Sequence, residues 1–134
     1  MQRLSLGGIF AVIVGLAASG FRALDAQSAS ATAVDPTLAQ WGERVWNQKQ
    51  CFGCHELGHP TSTGPDLIGV TDRRGTDWLR RWLANPIEMA ADDSVGAALK
   101  QQYNSQMPRF TLNAHDIDGL IAFLAAQTQL RASK

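Results

Sequence analysis

Cys51-Phe52-Gly53-Cys54-His55 is the stretch on which the reading of this 134-residue chain turns. It sets two thiols three positions apart, with an imidazole directly after the second. That string is the attachment pattern of a c-type haem. The chemistry needs this spacing because two thiols must reach two vinyl groups on one porphyrin edge. The next residue, His55, then projects beneath the ring and offers the iron a neutral imidazole. Cys51 and Cys54 are the only two cysteines, so a multi-disulfide scaffold is excluded.

Three other readings compete. A thioredoxin-like Cys-x-x-Cys sits in a βαβ context, and no stretch of this chain alternates over enough residues to suggest strands. A zinc knuckle would use Cys51, Cys54 and His59, but its fourth ligand position falls on Gly64. A three-ligand zinc site would need an open catalytic position with a base beside it. A disulfide across two intervening residues gains little entropy. Haem attachment fits best.

Working outward, the flanks read as helices and loops. Asp35 can cap a helix that Pro36 opens, with Leu38, Trp41, Val45 and Trp46 on one face to about Lys49. Gly42 lies in that face. Glycine within a helix costs about 1 kcal/mol relative to alanine, which a close helix contact would justify. From Gly53 to Gly75 the chain carries five glycines and two prolines, a long loop that suits a compact domain only if it wraps something. A second helix runs from Asp77 through Leu83 and stops before Pro86. A third, capped by Asp93 or Ser94, continues through Leu99 to Tyr103. Asn113 caps the last, with Asp116 completing a capping box and Ile117, Leu120, Ile121 and Leu124 facing inward. The fold class read here is all-α.

The first thirty residues differ from the rest. Leu6–Ala18 is a 13-residue apolar run behind Arg3, short of the roughly 20 residues that span a bilayer and within the usual length of a secretory signal. Ala29-Ser30-Ala31 and Ala31-Thr32-Ala33 are small-x-small cleavage sites. The organisation expected is a signal peptide over 1–31, or an uncleaved anchor, and one domain over 32–134. Export agrees with the motif, since haem is attached in this way outside the cytoplasm. Over the whole chain 12 basic side chains balance 12 acidic ones, which gives no support to nucleic-acid binding.

With these residues in place, the chain resembles a class I cytochrome c over residues 36–126. Gly42 and Trp46 match the family's glycine and aromatic positions in the N-terminal helix. Gly64-Pro65-Asp66-Leu67 matches its Gly-Pro-x-Leu loop, and Trp82-Leu83-Ala84-Asn85-Pro86 its aromatic-Leu-x-Asn-Pro helix end. Met107-Pro108 resembles the loop that supplies the sixth iron ligand. The resemblance implies short helices, four or five, and long loops wrapped around one haem c attached through Cys51 and Cys54. It implies His55 and Met107 as axial ligands, with the Pro65 carbonyl accepting the His55 Nδ1–H and so raising its basicity. Leu67 would pack on the same haem face, Trp82 would lie beside the haem, and Arg73 or Arg74 would neutralise propionates. Met89, His59 and His115 read as packing or surface residues. Two features depart from the family pattern. Pro86 to Met107 spans 21 residues, room for the third helix. Only Lys49, Lys100 and Lys134 remain after residue 31, so the lysine ring of mitochondrial members is missing.

The likeness is to small bacterial cytochromes of respiratory chains. It implies a periplasmic one-electron carrier, not an enzyme, with a membrane oxidoreductase complex as donor and a terminal reductase or oxidase as acceptor. Membrane contact follows only if the N-terminal segment is uncleaved. The alternatives are a haem enzyme or gas sensor with a displaceable sixth ligand, and a zinc module.

Overall fold

Asp35 starts the first helix as its place before Pro36 predicts. Its carboxylate accepts the N–H groups of Thr37 at 2.8 Å and Leu38 at 3.2 Å, and Pro36 occupies the first turn. A proline there gives up an N–H that would have no intrahelical partner. The computed structural model describes residues 33–133. These form α1 (Pro36–Gln48), a 3₁₀ turn (Cys51–Gly53), α2 (Val70–Arg73), α3 (Thr76–Ala84), α4 (Pro86–Asp92), α5 (Ser94–Tyr103) and α6 (Ala114–Ala132). No strand occurs among the described residues, as an all-α fold requires. The expected leader over 1–31 lies outside them. No described helix is long and apolar enough to cross a membrane.

The scaffold is the crossing of α1 and α6. A Cβ on Gly42 would collide with the Gly119 carbonyl, and one on Gly119 would come within 2.8 Å of Trp41 Cδ1. Two glycines therefore let the helix backbones touch. Gly42 stands at this crossing as its place in α1 predicts; Gly119 carries the other half. Around it Val45, Trp46, Leu120, Phe123 and Leu124 form the buried core, with the Trp46 and Phe123 rings tilted at 5.7 Å. Trp41 Nε1 donates to Asp116 Oδ1 at 3.0 Å. Asn113 and Asp116 close the expected capping box.

Two helices, α2 and α4, come in addition to the four placed from the sequence. Pro86 ends α3 but also begins α4, because Asn85 repeats the device of Asp35: its side chain accepts the Glu88 N–H. Val70–Arg73 forms a single helical turn inside the glycine-rich loop. Asp93 caps α5 through Val95 and Gly96, both at 3.0 Å. The Gly96 N–H is the main reason its carboxyl titrates below the usual range. A Cβ on Gly96 would strike the Met89 carbonyl and lie 2.9 Å from Trp82 Cζ3, so α5 packs tightly over α4 and α3.

Candidate functional site

Gln50 takes a left-handed conformation (φ 56°) after α1 and turns the chain into the 3₁₀ segment. The N–H groups of Cys54 and His55 both return to the Cys51 carbonyl, at 3.2 and 3.0 Å. This tight turn carries both thiols and the imidazole on one compact unit. Cys51 is half-buried and Cys54 exposed. Burial pushes the Cys51 thiol pKa up.

His55 Nδ1 lies 3.0 Å from the Pro65 carbonyl. A carbonyl can only accept, so Nδ1 carries the proton and the lone pair resides on Nε2. Burial lowers the imidazole pKa, the Pro65 bond opposing it, and the ring is neutral at pH 7. Gly64 sits flush behind it: a Cβ there would come within 2.8 Å of the ring's Cε1 and Nδ1 and of the Cys54 carbonyl. Thr61 shapes this loop by donating to Cys54 O at 2.6 Å and accepting from the Gly64 N–H at 3.0 Å.

Between these segments and the helices lies a mostly apolar cleft. Cys51, His55, Pro65, Leu67, Trp82, Leu99 and Met107 line it, together with Trp46, Leu120 and Leu124 of the core. Cys54 borders the adjoining opening with His55, Gly64 and Met107. The Trp82 indole N–H donates to Met107 Sδ at 3.1 Å, and Trp82 stacks on Trp78 at 5.3 Å with planes 10° apart. Arg74 lies over Trp78 at 5.6 Å.

Seven of the eight site residues read from the sequence line this cleft, and Cys54 borders its opening. Arg73 is among them, but its guanidinium also donates to the Asp66 and Ile68 carbonyls. Met89 is buried against α5 and does not line the cleft. His59 is exposed and His115 packs on Trp41 at 5.1 Å. Among the described residues no three His, Cys, Asp or Glu side chains gather into a metal-ligating group, so the Cys51–Cys54–His59 zinc grouping does not form. Sequence reading missed Leu99 and Trp78 as cleft residues. Both are apolar residues within expected helices, a signal that core packing shares.

Comparison with known proteins agrees with this geometry. The family model described as Cytochrome c matches residues 39–128. A component of the nitric oxide reductase of Stutzerimonas stutzeri is 31% identical over 90 residues, covering 62% of this chain and 53% of the relative. The chain thus spans about half the length of that relative. A cytochrome c from Rhodothermus marinus superposes with a TM-score of 0.69 at 30% identity, over 73% of this chain and 83% of its own. The cytochrome c domain of a Pseudomonas putida protein does so with a TM-score of 0.58 at 34% identity, over 69% and 95%.

Proposed function

The chain belongs to the cytochrome c family, and on that premise we propose that it is a periplasmic one-electron carrier ligated by His55 and Met107. Membership supplies the cofactor, one covalent haem c attached through the Cys51–Cys54 pair. The residues present fit that group in their chemistry: a mostly apolar cleft, two thiols at its border, and Gly64 leaving room for the imidazole. Bound there, the haem supplies a one-electron Fe(II)/Fe(III) couple.

The observation that carries the reading is that His55 and Met107 line one cleft, with the imidazole already oriented by Pro65. His55 presents Nε2, and the Pro65 carbonyl strengthens it as a donor. Met107 offers a neutral thioether, which favours the reduced state and raises the potential. Trp82 holds that sulfur by its N–H. With His55 and Met107 both holding the iron, the ligand set would stay constant between oxidation states. Among the described residues no imidazole besides His55 lines the cleft, so acid–base machinery of the kind a peroxidase uses is not assembled there. The chain's own residues would set the potential and the access of partners. The Stutzerimonas relative is part of a reductase, which supports a place between a membrane oxidoreductase complex and a terminal reductase or oxidase.

A redox titration of the purified full chain followed by absorbance tests this. A single one-electron wave, with no carbon monoxide adduct of the ferrous protein at neutral pH, is expected. A ready adduct would point instead to a gas-binding or enzymatic haem.

A further inference from the structure

The loop behind His55 is fastened by side chains that the Pro65 bond alone does not require. Asp66 follows Pro65 directly, and its Oδ1 accepts from the Gly58 N–H at 2.7 Å and the Ile68 N–H at 2.9 Å. One carboxylate oxygen thereby joins the two limbs of the loop on either side of the histidine's acceptor. Arg73 donates to the Asp66 and Ile68 carbonyls from α2. From the far end of α6, Arg131 donates to the Leu57 carbonyl at 2.6 Å and packs so closely on Gly58 (φ 98°) that any Cβ there would strike its guanidinium. Thr128 receives the Gly69 N–H at 2.8 Å while its own hydroxyl returns to Leu124 O. Burial works to raise the Asp66 pKa. The N–H groups of Ile68 and Gly58 and the charges of Arg73 and Arg131 more than offset it, and the carboxyl titrates below its ordinary value. A carboxylate held ionised by two N–H bonds and two guanidinium groups is a stiff joint, since charge-assisted bonds are about twice as strong as neutral ones.

We propose that Asp66, with Arg131 clamping the loop from the end of α6, is a positioning residue for the axial imidazole. It fixes the Pro65 carbonyl against His55 Nδ1–H and thereby lowers the reduction potential. The proposal rests on His55 being the iron ligand. The physical route is short: a shorter, better-aligned Nδ1–H···O=C bond makes the imidazole more basic, and a more basic ligand favours the ferric state. Loosening the joint weakens that bond and the potential rises.

The test uses the full haem-loaded chain with Asp66→Ala, Asp66→Asn and Arg131→Met, and Arg80→Ala as control. Arg80 bridges Asp77 and Asp118 between α3 and α6, away from the loop. Two quantities are read at fixed pH: hydrogen exchange of the His55 Nδ1–H by NMR, and reduction potential. Asp66→Ala is expected to speed exchange about tenfold, as loss of a bond to a charged group would, and to raise the potential. Asn keeps an acceptor oxygen, so Asp66→Asn should restore most of both. Arg131→Met should shift both in the same direction by less, and Arg80→Ala should move neither. If Asp66→Ala and Arg131→Met lower the denaturation midpoint but leave exchange and potential at wild-type values, the joint is merely structural and the proposal fails. If the wild-type ring shows no haem-shifted resonances, the ligand assignment beneath it has failed instead. Should the alanine variant not fold, Arg131→Met decides by the same two readings.

Discussion

Two loops line the cleft and are held to different degrees. The segment from Cys54 to Gly69 is sewn down by hydrogen bonds through Thr61, Asp66, Arg73, Thr128 and Arg131, and its product is one oriented imidazole. The segment around Met107 is held through Gln106, which donates to the Met107 carbonyl at 3.2 Å, and through the Trp82 N–H on the sulfur. The difference fits what each proposed ligand needs. An imidazole must be fixed in tautomer and ring plane, which takes a carbonyl at a set place. A thioether on a flexible side chain adapts to its neighbour and needs mainly an apolar wall with one donor. The side bearing the thiols is thus tied by many more side-chain bonds than the Met107 side, which Gln106 and Trp82 hold.

The sharpest way to break this contrast is to remove what both loops enclose. Cys51→Ala with Cys54→Ala should give a chain without covalent haem and with little stable tertiary structure, because the cleft would lie empty between them. Haem-stained denaturing gels and near-UV circular dichroism read the outcome; persisting covalent haem would contradict the attachment.

Gly64→Ala probes the fastened side alone. Its Cβ would press on the imidazole at 2.8 Å, and overpacking of that kind costs about 1–3 kcal/mol. A lower denaturation midpoint together with a shifted potential is expected. Trp82→Phe probes the other side. Losing one N–H donor costs about 0.5–1.5 kcal/mol. It also leaves the sulfur a stronger donor, so the potential should fall while His55 ring exchange stays unchanged.

The smallest effect expected is one of acidity. The folded Asp66 carboxyl titrates below its unfolded value, so its stabilising contribution is complete above the ordinary carboxylate pKa of about 4. It is lost as pH falls through the lowered native value. Acid titration should therefore free the Gly58 and Ile68 amides to exchange before the Met107 loop changes. Simultaneous loosening of both loops would remove the contrast.

The sequence makes the two sides legible to different depths, for physical reasons. Local devices announce themselves: Asp35 before Pro36, Asn113 with Asp116, and the Cys51–His55 turn all act within five residues. Asn85-Pro86 is the same cap-and-proline device as Asp35-Pro36. From sequence it reads as a stop only, because proline both disfavours helix before it and favours helix after it, and so α4 goes unseen. Gly42 calls for a close partner by its cost in a helix; the same cost at Gly119 is the available signal for its other half. Arg131 and Thr128 give none. Their partners, Leu57 and Gly69, lie 74 and 59 positions away, and such pairings have no local pattern. Arg73 is legible as a residue beside the cleft, but its bonds to the loop carbonyls are not.

Electron carriage as proposed requires a closed site with Met107 as the second iron ligand, and one comparison tests it most directly. Met107 lines the cleft with its sulfur bonded by Trp82, whereas Met89 is buried beneath α5 away from the cleft. Carbon monoxide titration of the ferrous protein, with the ferric methionine–iron absorbance band as a second reading, separates them. Met107→Ala should bind carbon monoxide, lose the band and fall in potential, and Met89→Ala should keep the band and bind none. The reverse pattern, or carbon monoxide binding by the unmodified chain, would contradict the closed site and the electron-carrier function argued from it.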